Sequence, residues 1–388
     1  MSVYLDHAAT TPLRPEVLEA MQPYFTEHFG NPSSLHAAGR QARLGLDEAR
    51  ETVARILGAK PREIVFTSSG TEADNLAVKG AAWAASARGR ELVVSSVEHK
   101  AVTHSVAVME RYGFRTTWLP VDGYGRVNPA DVEAAIGDHT TLVSVMYANN
   151  EVGTLQPIAD IGAICRARDV VLHVDAIQAA GHLPLEVDAL GADLLSLSAH
   201  KINGPKGVGA LFVRQGTPLL AQLSGGSQER QRRAGTENVA EIVGFATALE
   251  LAQQERVADA ERLAGLRDRL IEALTALPGV TLTGHARERL PNNASFLVDG
   301  VEGGDLVAAL DLEGVAASTG SACTTGSTEP SHVLLAMGIQ PEAAHGSLRL
   351  TLGRGSSEED VRLTAEAMRR VLERMRGARE RRPEAASV

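Results

Sequence analysis

The segment that decides the fold is LLSLSAHKINGPKGVGALFV, which spans Leu194–Val213. It contains two apolar strands separated by a turn rich in glycine and proline, and Lys201 lies just after the first strand. A lysine at the end of a buried strand can reach into a cleft, where burial and neighbouring cations favour the neutral amine used in Schiff-base chemistry. An isolated loop lysine is usually just solvent-exposed, so this interpretation depends on the surrounding sequence.

The sequence before this segment alternates short β-branched runs with amphipathic stretches such as Glu72–Ala87 and Pro157–Asp169. The predicted strands are Glu63–Ser68, Glu91–Ser96, Thr141–Ala148, Val170–Asp175, Asp193–Ala199 and Gly207–Val213. Apolar strands separated by helices predict an α/β fold whose mostly parallel sheet is flanked by helices on both faces. Ligands bind such sheets where the strands end and the loops turn into helices.

A second pattern follows a long predicted helix at residues 238–277. Its polar midsection, QQERVADAER at residues 253–262, is the predicted hinge, and the mixed strands and helices after it indicate a smaller α+β domain. We therefore predict a large cofactor-binding domain at residues 13–256. We also predict a small domain at residues 257–388 together with residues 1–12, which carries the loop around Cys323 and is frayed from Gly377 onwards.

A carboxylate ends another apolar strand, in VVLHVDAIQ at Val170–Gln178. There Asp175 is well placed to hold the protonated ring nitrogen of pyridoxal phosphate (PLP), which keeps that ring an electron sink, and Gln178 can bind the ring oxygen. Alone, a strand-ending aspartate is as often a helix cap or a metal ligand. Because Lys201 follows after one further strand, the pair favours PLP.

Two further strand ends supply polar groups. EIVFTSSGTEADN is a strand, a turn of small residues and a helix, so Gly70 and Thr71 are expected at an anion site for the cofactor phosphate. After strand ELVVSS, His99 can stack on the ring or move protons. Each signal alone is weak, because such turns are common and an isolated histidine is usually structural. Neither GxGxxG nor GxxxxGK[ST] occurs here, so dinucleotide and P-loop sites lack their motifs.

Composition excludes several classes of function. The net charge is −10 and aromatic residues make up 4%, which argues against nucleic-acid partners. No apolar run approaches a membrane span or a secretion leader, so we expect a cytoplasmic protein. The two cysteines, Cys165 and Cys323, are too few for a disulfide framework or a zinc site of several thiolates. No metal is expected in the PLP site.

The whole set of motifs resembles the cysteine desulfurases of the NifS/IscS group, in the class V aminotransferase family with PLP fold type I. The resemblance runs nearly end to end, from YLDHAATTP at Tyr4 to LTLGR at Leu350. The motifs between them are FGNPSSLHAAGR, FTSSGTEADN, EHKAV, YANNEVGT, HVDAIQ, SAHKINGPKG, RAGTEN, STGSACTTG and EPSHVL.

The resemblance implies a role for each matching residue. Lys201 would form the Schiff base, Asp175 would pair with the ring nitrogen, and His99 would cover the ring and assist acid–base chemistry. The remaining implied cofactor contacts are Gln178 to the ring oxygen, and Thr71, Ser198, His200 and, from the other subunit of a homodimer, Thr236 to the phosphate. The implied contacts to the substrate carboxylate are Asn150 and Arg349, with help from Asn31.

Cys323 lies in STGSACTTGSTEPS, which has almost no apolar residue to bury. The segment therefore predicts a loop able to bring a thiol to the cofactor and take it away again. In the family this position is the nucleophile that accepts sulfur as a persulfide, and it could also transiently ligate an iron–sulfur cluster. Cys165, within the helical pattern GAICRARD, is interpreted as a buried structural residue.

The implied substrate is L-cysteine, with iron–sulfur scaffold proteins or tRNA-thiolation enzymes as sulfur acceptors. The ending RRPEAASV is shorter than that of IscS-type members and favours NifS-like ones, which leaves scaffold docking open. The long loop around Cys323 differs from the RxGHHC-type site of the SufS group, so an activating partner is less expected. Selenocysteine lyase, transamination and a non-catalytic PLP fold remain alternatives, separable by product analysis and cofactor absorbance.

Overall fold

The computed structural model describes residues 3–320 and 330–380, with side chains up to residue 377. Its strands are β1 (Val3–Tyr4), β2 (Ile64–Thr67), β3 (Glu91–Ser95), β4 (Arg115–Leu119), β5 (Thr140–Ser144), β6 (Val171–Asp175), β7 (Leu194–Ser198), β8 (Gly209–Val213), β9 (Val280–Leu282), β10 (Asn293–Val298), β11 (Val315–Ala316) and β12 (Ser347–Thr351).

The helices join these strands and cover their faces. They are α1 (Pro15–Met21), α2 (Pro23–Thr26), α3 (Ala37–Leu57), α4 (Gly70–Ala84), α5 (Lys100–Arg111), α6 (Pro129–Ala135), α7 (Ile158–Ala167), α8 (Val187–Leu190), α9 (Gln228–Gln231), α10 (Val239–Thr275), α11 (Gly303–Leu312), α12 (His332–Ala336), α13 (Pro341–Ala344) and α14 (Glu358–Glu380). Short 3-10 turns occur at Pro61–Glu63 and Ala199–Lys201.

The main sheet has seven strands in the order β2-β8-β7-β6-β5-β3-β4. Only β8 is antiparallel to its neighbours, β2 and β7, and the other neighbouring pairs are parallel. The predicted α/β class with a mostly parallel sheet is therefore confirmed. Because β2, β3, β5, β6 and β7 point the same way, the turns that follow them meet at one edge of the sheet.

Both faces of this sheet are buried because successive side chains of a strand point to opposite sides. In β3, for example, Val93 packs into the core beneath α3, α7 and α10, whereas Leu92 and Val94 pack into the core beneath α4 and α5. Burial on both faces accounts for strands that read as continuous apolar runs instead of alternating patterns.

A smaller unit is built around the antiparallel sheet β12-β10-β9. Its core contains Phe296 and Leu350 from the sheet, Leu306 from α11, Met368 from α14 and Leu270 from the C-terminal half of α10. The N-terminal strand joins this unit, since β1 pairs in parallel with β11. This smaller antiparallel unit agrees with the predicted α+β part of the fold.

Helix α10 runs without interruption through residues 253–262, where the sequence predicted a hinge. Leu249, before this stretch, packs in the core of the main sheet, and Leu263, just after it, packs in the core of the smaller unit. The stretch is polar because it crosses between two cores, so the polar midsection is not a break in the helix. The domain boundaries at residues 13–256 and 257–388 remain predictions.

Candidate active site

The turns at the carboxyl edge of the main sheet surround a cavity of about 320 Å³. That volume falls within the range of sites for small ligands. Ten residues predicted from the sequence line it, namely Gly70, Thr71, His99, Asn150, Asp175, Gln178, Ser198, His200, Lys201 and Arg349. The topology of the main sheet brings nine of them together, since they lie at or after the ends of strands that finish at the same edge, and Arg349 comes from β12 of the smaller unit.

Lys201 ends the 3-10 turn that directly follows β7. Its Nζ donates hydrogen bonds to the carbonyl oxygens of Ala8, at 2.6 Å, and Ala9, at 2.7 Å. The N-terminal segment thus forms one wall of the cavity opposite the sheet edge. Gln178 reaches the same wall, where its Nε2 donates to the carbonyl of Ala8 at 3.0 Å.

Asp175 ends β6 and is 4% exposed. Its Oδ1 accepts a hydrogen bond from the backbone N–H of Ile177 at 2.9 Å. Burial, reinforced by the nearby Asp74 carboxyl, raises the pKa of Asp175 to about 8. A buried carboxyl of this kind favours a cation beside it, because a positive charge offsets the cost of ionisation. The protonated ring nitrogen of PLP fits that requirement.

The turn after β2 provides an anion site. Helix α4 begins at Gly70, with Ser69 as its N-cap, and the N–H groups of a first helical turn have no partner within the helix. The hydroxyl of Ser198 is buried across from this turn and has no hydrogen-bond partner in the described part of the chain. A Cβ on Gly70 would lie 2.3 Å from Cδ1 of Ile177, so only glycine leaves this space open. These features fit the phosphate group of PLP.

Two imidazoles flank Lys201 in neutral form. The Nδ1 of His99 accepts a hydrogen bond from the N–H of Ala101 at 3.1 Å, which makes His99 the N-cap of α5. The Nδ1 of His200 lies 3.2 Å from the hydroxyl oxygen of Thr10. Burial, with the charge of Lys201 as the next cause, lowers the pKa of each ring to about 4. Both rings are therefore uncharged at neutral pH.

Arg349 on β12 reaches the cavity from the smaller unit and is 2% exposed. Its Nη1 donates to the carbonyls of Asn150, at 2.9 Å, and Gly320, at 3.0 Å, and its Nη2 donates to Asp6 at 2.8 Å. Its Nε is buried with no partner among the described residues. A guanidinium with an unpaired N–H beside an amine site fits the carboxylate of an amino-acid substrate.

Three predicted residues are not brought to the cavity by the described chain. Asn31 is exposed and its Oδ1 accepts from the N–H of Ser33 at 2.9 Å. Thr236 is exposed in the loop before α10 and does not line the cavity of its own chain. Cys323 lies outside the described residues, although Gly320, just before that segment, lines the cavity.

Cys165 is buried within the core of the main sheet, as the sequence predicted. Burial raises the pKa of its thiol to about 12, so the reactive thiolate is disfavoured there. Cys165 therefore behaves as a small apolar residue of α7.

Several residues that line the cavity were not predicted from the sequence, among them Lys100, Glu151 and His332. Two of them adjoin predicted site residues, since Lys100 follows His99 and Glu151 follows Asn150. His332 lies in the motif EPSHVL, which is part of the resemblance but predicts no role for this residue. All three residues lie within motifs of the resemblance, and this position was the only sign in the sequence that they would line the cavity.

Comparison with known proteins identifies the family to which the chain is similar. The model of the family described as aminotransferase class-V matches residues 3–363. The chain is 51% identical over 375 residues to a protein named cysteine desulfurase IscS from Dictyoglomus turgidum, covering 96% of this chain and 95% of that one. It is 50% identical to the protein of the same name from Methanosarcina thermophila, covering 97% of this chain and 93% of the relative.

Solved structures agree with this result. A structure described as a NifS-like protein superposes with a TM-score of 0.91 at 37% identity, covering 96% of this chain and all of the other (100%). A NifS-like protein from Rickettsia africae superposes with a TM-score of 0.87 at 31% identity, over 96% of this chain and 100% of the other.

Proposed function

Because the chain belongs to the aminotransferase class V family and is about half identical to cysteine desulfurases over nearly its full length, we infer that it is a PLP-dependent cysteine desulfurase. It converts L-cysteine to L-alanine and takes up the sulfur. The observation that carries this function is that Lys201, Asp175 and Arg349 line the same cavity. The three residues provide an amine, a buried carboxyl and a carboxylate-binding guanidinium.

When bound, PLP supplies an electron-withdrawing ring that stabilises the negative charge developing on the substrate carbon. We propose that Lys201 holds the cofactor covalently and that Asp175 pairs with its ring nitrogen. His99 would cover one face of the ring and Gln178 would contact the ring oxygen. The proposed phosphate contacts are Gly70, Thr71, Ser198 and His200, together with Thr236 of the partner subunit.

The substrate carboxylate is assigned to Arg349 and Asn150. The Nε of Arg349 has no hydrogen-bond partner among residues 3–320 and 330–380, which supports this assignment, since a carboxylate oxygen would satisfy it. The other two nitrogens of Arg349 are anchored by carbonyls and by Asp6, so the guanidinium is held in place before the substrate arrives. A fixed arginine loses little conformational freedom on binding.

Bond making and breaking are assigned to three side chains. The amine of Lys201 takes the Cα proton, and His99 assists proton transfer. The thiolate of Cys323 attacks the substrate sulfur, so that an S–S bond forms as the C–S bond breaks. The electron pair of the broken bond passes to Cβ of the substrate, which takes up a proton, and a proton is returned to Cα to give L-alanine. The sulfur remains on Cys323 as a persulfide.

We further propose that the chain works as a homodimer in the cytoplasm. Phe29 and Leu35, between α2 and α3, are 70% and 91% exposed, and large apolar side chains at a surface favour burial against a second copy. A dimer would also allow Thr236 to reach the cavity of its partner. The described residues contain no helix long and apolar enough to cross a membrane. The sulfur acceptor is proposed to be an iron–sulfur scaffold or a tRNA-thiolation protein.

The experiment that tests the function is mass spectrometry of the protein after incubation with L-cysteine. We expect one added sulfur atom on the peptide that contains Cys323, and none on the peptide that contains Cys165. The variant Cys323→Ser should retain the cofactor absorbance but release neither alanine nor sulfide. Cys165→Ser is the matched control and should keep full activity.

Other outcomes would overturn the proposal. Undiminished sulfide release by Cys323→Ser would remove the assigned nucleophile. A keto acid as the main product would indicate transamination, and release of selenide without any sulfide would indicate a selenocysteine lyase.

A further inference from the structure

His332 is an imidazole of the cavity wall that the mechanism above does not use. It is the first residue of α12, and its Nε2 lies 2.9 Å from the carbonyl oxygen of Glu98. A carbonyl oxygen can only accept, so Nε2 must carry the proton of the neutral ring. The other nitrogen, Nδ1, therefore presents a lone pair.

This Nδ1 is buried and has no hydrogen-bond partner within residues 3–320 and 330–380. Burying an acceptor without a donor costs free energy, so native structures nearly always satisfy such atoms with protein, water or ligand. Burial also lowers the pKa of His332, which keeps the Nδ1 lone pair available at neutral pH. The cavity wall thus contains a buried hydrogen-bond acceptor, Nδ1 of His332, for which the described residues supply no donor.

The ring of His332 is fixed by its neighbours. Ser331 caps α12 by accepting from the N–H groups of Val333, at 3.2 Å, and Leu334, at 3.3 Å. The hydroxyl of Ser331 donates in turn to the carboxylate of Glu151, which also lines the cavity. Glu98, which holds the far side of the ring, is itself fully buried. The Nδ1 position is therefore defined before any ligand binds.

The backbone that holds this ring also carries His99. Glu98 precedes His99 in sequence, and its carbonyl oxygen accepts from His332, so a single backbone turn positions both imidazoles. The thiol of L-cysteine can donate a hydrogen bond, which is the group that the lone pair on Nδ1 of His332 requires.

We propose that Nδ1 of His332 accepts a hydrogen bond from the thiol of the bound L-cysteine, and that this contact lets the site favour a ligand with a side-chain donor over one without. The inference rests on the proposed function and concerns binding, so it requires no bond to break. It makes His332 a specificity-determining residue for the sulfur end of the substrate, whereas Arg349 is assigned to the carboxylate end.

The test compares L-cysteine with L-alanine, which lacks only the thiol. Binding of both ligands would be followed by cofactor absorbance in Cys323→Ser protein, in which sulfur transfer is blocked, with and without His332→Gln. Glutamine can keep the donor to the Glu98 carbonyl but removes the acceptor at the Nδ1 position. We expect His332→Gln to weaken cysteine binding about fivefold, the size of one hydrogen bond, and to leave alanine binding unchanged.

Two further variants complete the design. His332→Asn places an amide near the Nδ1 position and should recover part of the cysteine preference. His104→Gln replaces an exposed imidazole of α5 and should change neither ligand's affinity. The inference is overturned if His332→Gln changes the two affinities equally or changes neither. Failure of the proposed function would appear separately, as wild-type protein that forms no persulfide on Cys323.

Discussion

Among single residues, Asp175 should have opposite effects on the stability of the cofactor-free chain and on cofactor binding. Its pKa of about 8 in the fold lies above that of an unfolded aspartate, so its contribution to stability is complete at low pH and is lost as the pH rises towards 8. Asp175→Asn should therefore stabilise the cofactor-free protein at pH 8, by on the order of a few kcal/mol, with little effect near pH 4. The same variant should bind PLP more weakly.

Denaturant unfolding at several pH values and absorbance titration with PLP would measure the two effects. Asp138→Asn, at an exposed aspartate, is the matched control and should alter neither. A stability difference between wild type and Asp175→Asn that does not grow with pH would contradict the assignment of a buried, raised-pKa carboxyl.

The placement of Lys201 and Asp175 at the cavity could be predicted from sequence, because one follows an apolar strand and the other ends one, and parallel strands deliver their ends to one edge. The role proposed for His332 could not be predicted, because it depends on which ring nitrogen meets the carbonyl of Glu98, more than two hundred residues away (234 positions). For Asn31, a matching motif was not enough to predict where the side chain lies. Its motif matches the family, yet in this chain its side chain caps its own turn at Ser33.

Among the elements, the start of α4 depends on the absence of a side chain. Gly70→Ala would place its Cβ 2.3 Å from Cδ1 and 3.0 Å from Cγ1 of Ile177, which lines the cavity. The displaced Ile177 should narrow the cofactor site and weaken PLP binding about tenfold, given that overpacking costs about 1–3 kcal/mol. Equilibrium titration with PLP measures this change.

Gly265→Ala is the control, because a Cβ at that position of α10 meets nothing within 4 Å. It should leave PLP binding unchanged and stabilise the helix by about 0.5–1 kcal/mol. Equal PLP affinity in Gly70→Ala and wild type would contradict this prediction, because it would show that the turn accommodates a Cβ without narrowing the cofactor site.

The strands with apolar runs were predicted to within a few residues, but β4 was not predicted. Its sequence, RTTWL, has one buried residue, Leu119, and β4 is one of the two edge strands of the sheet, whereas β2 at the other edge is buried along its whole length. A strand exposed in this way lacks the apolar signal on which the prediction relied. The antiparallel direction of β8 was also not predicted. A short connection after β7 does not by itself fix where the next strand lies in the sheet.

At the scale of the whole molecule, α10 connects the two hydrophobic cores through one continuous helix. Val257 lies on the polar crossing and is 69% exposed. Val257→Pro should break the helix there, at a cost of about 3 kcal/mol or more, without removing a side chain from either core. We expect scanning calorimetry to show two separate unfolding transitions, one for each core.

Val257→Ala keeps the helix intact and should unfold in the same way as the wild type. A single cooperative transition in Val257→Pro would mean that the two cores are coupled by contacts other than α10, such as the packing of the N-terminal segment against both.

The position of residues 3–10 also constrains how the protein is made. Strand β1 pairs with β11, Ala8 donates to Thr351 at a separation of 343 positions, and Lys201 bonds to the carbonyls of Ala8 and Ala9. A ribosome releases these first residues long before their partners exist. The main sheet can form while translation continues, but one wall of the cavity must wait for the last quarter of the chain. Cofactor loading should therefore follow completion of the polypeptide.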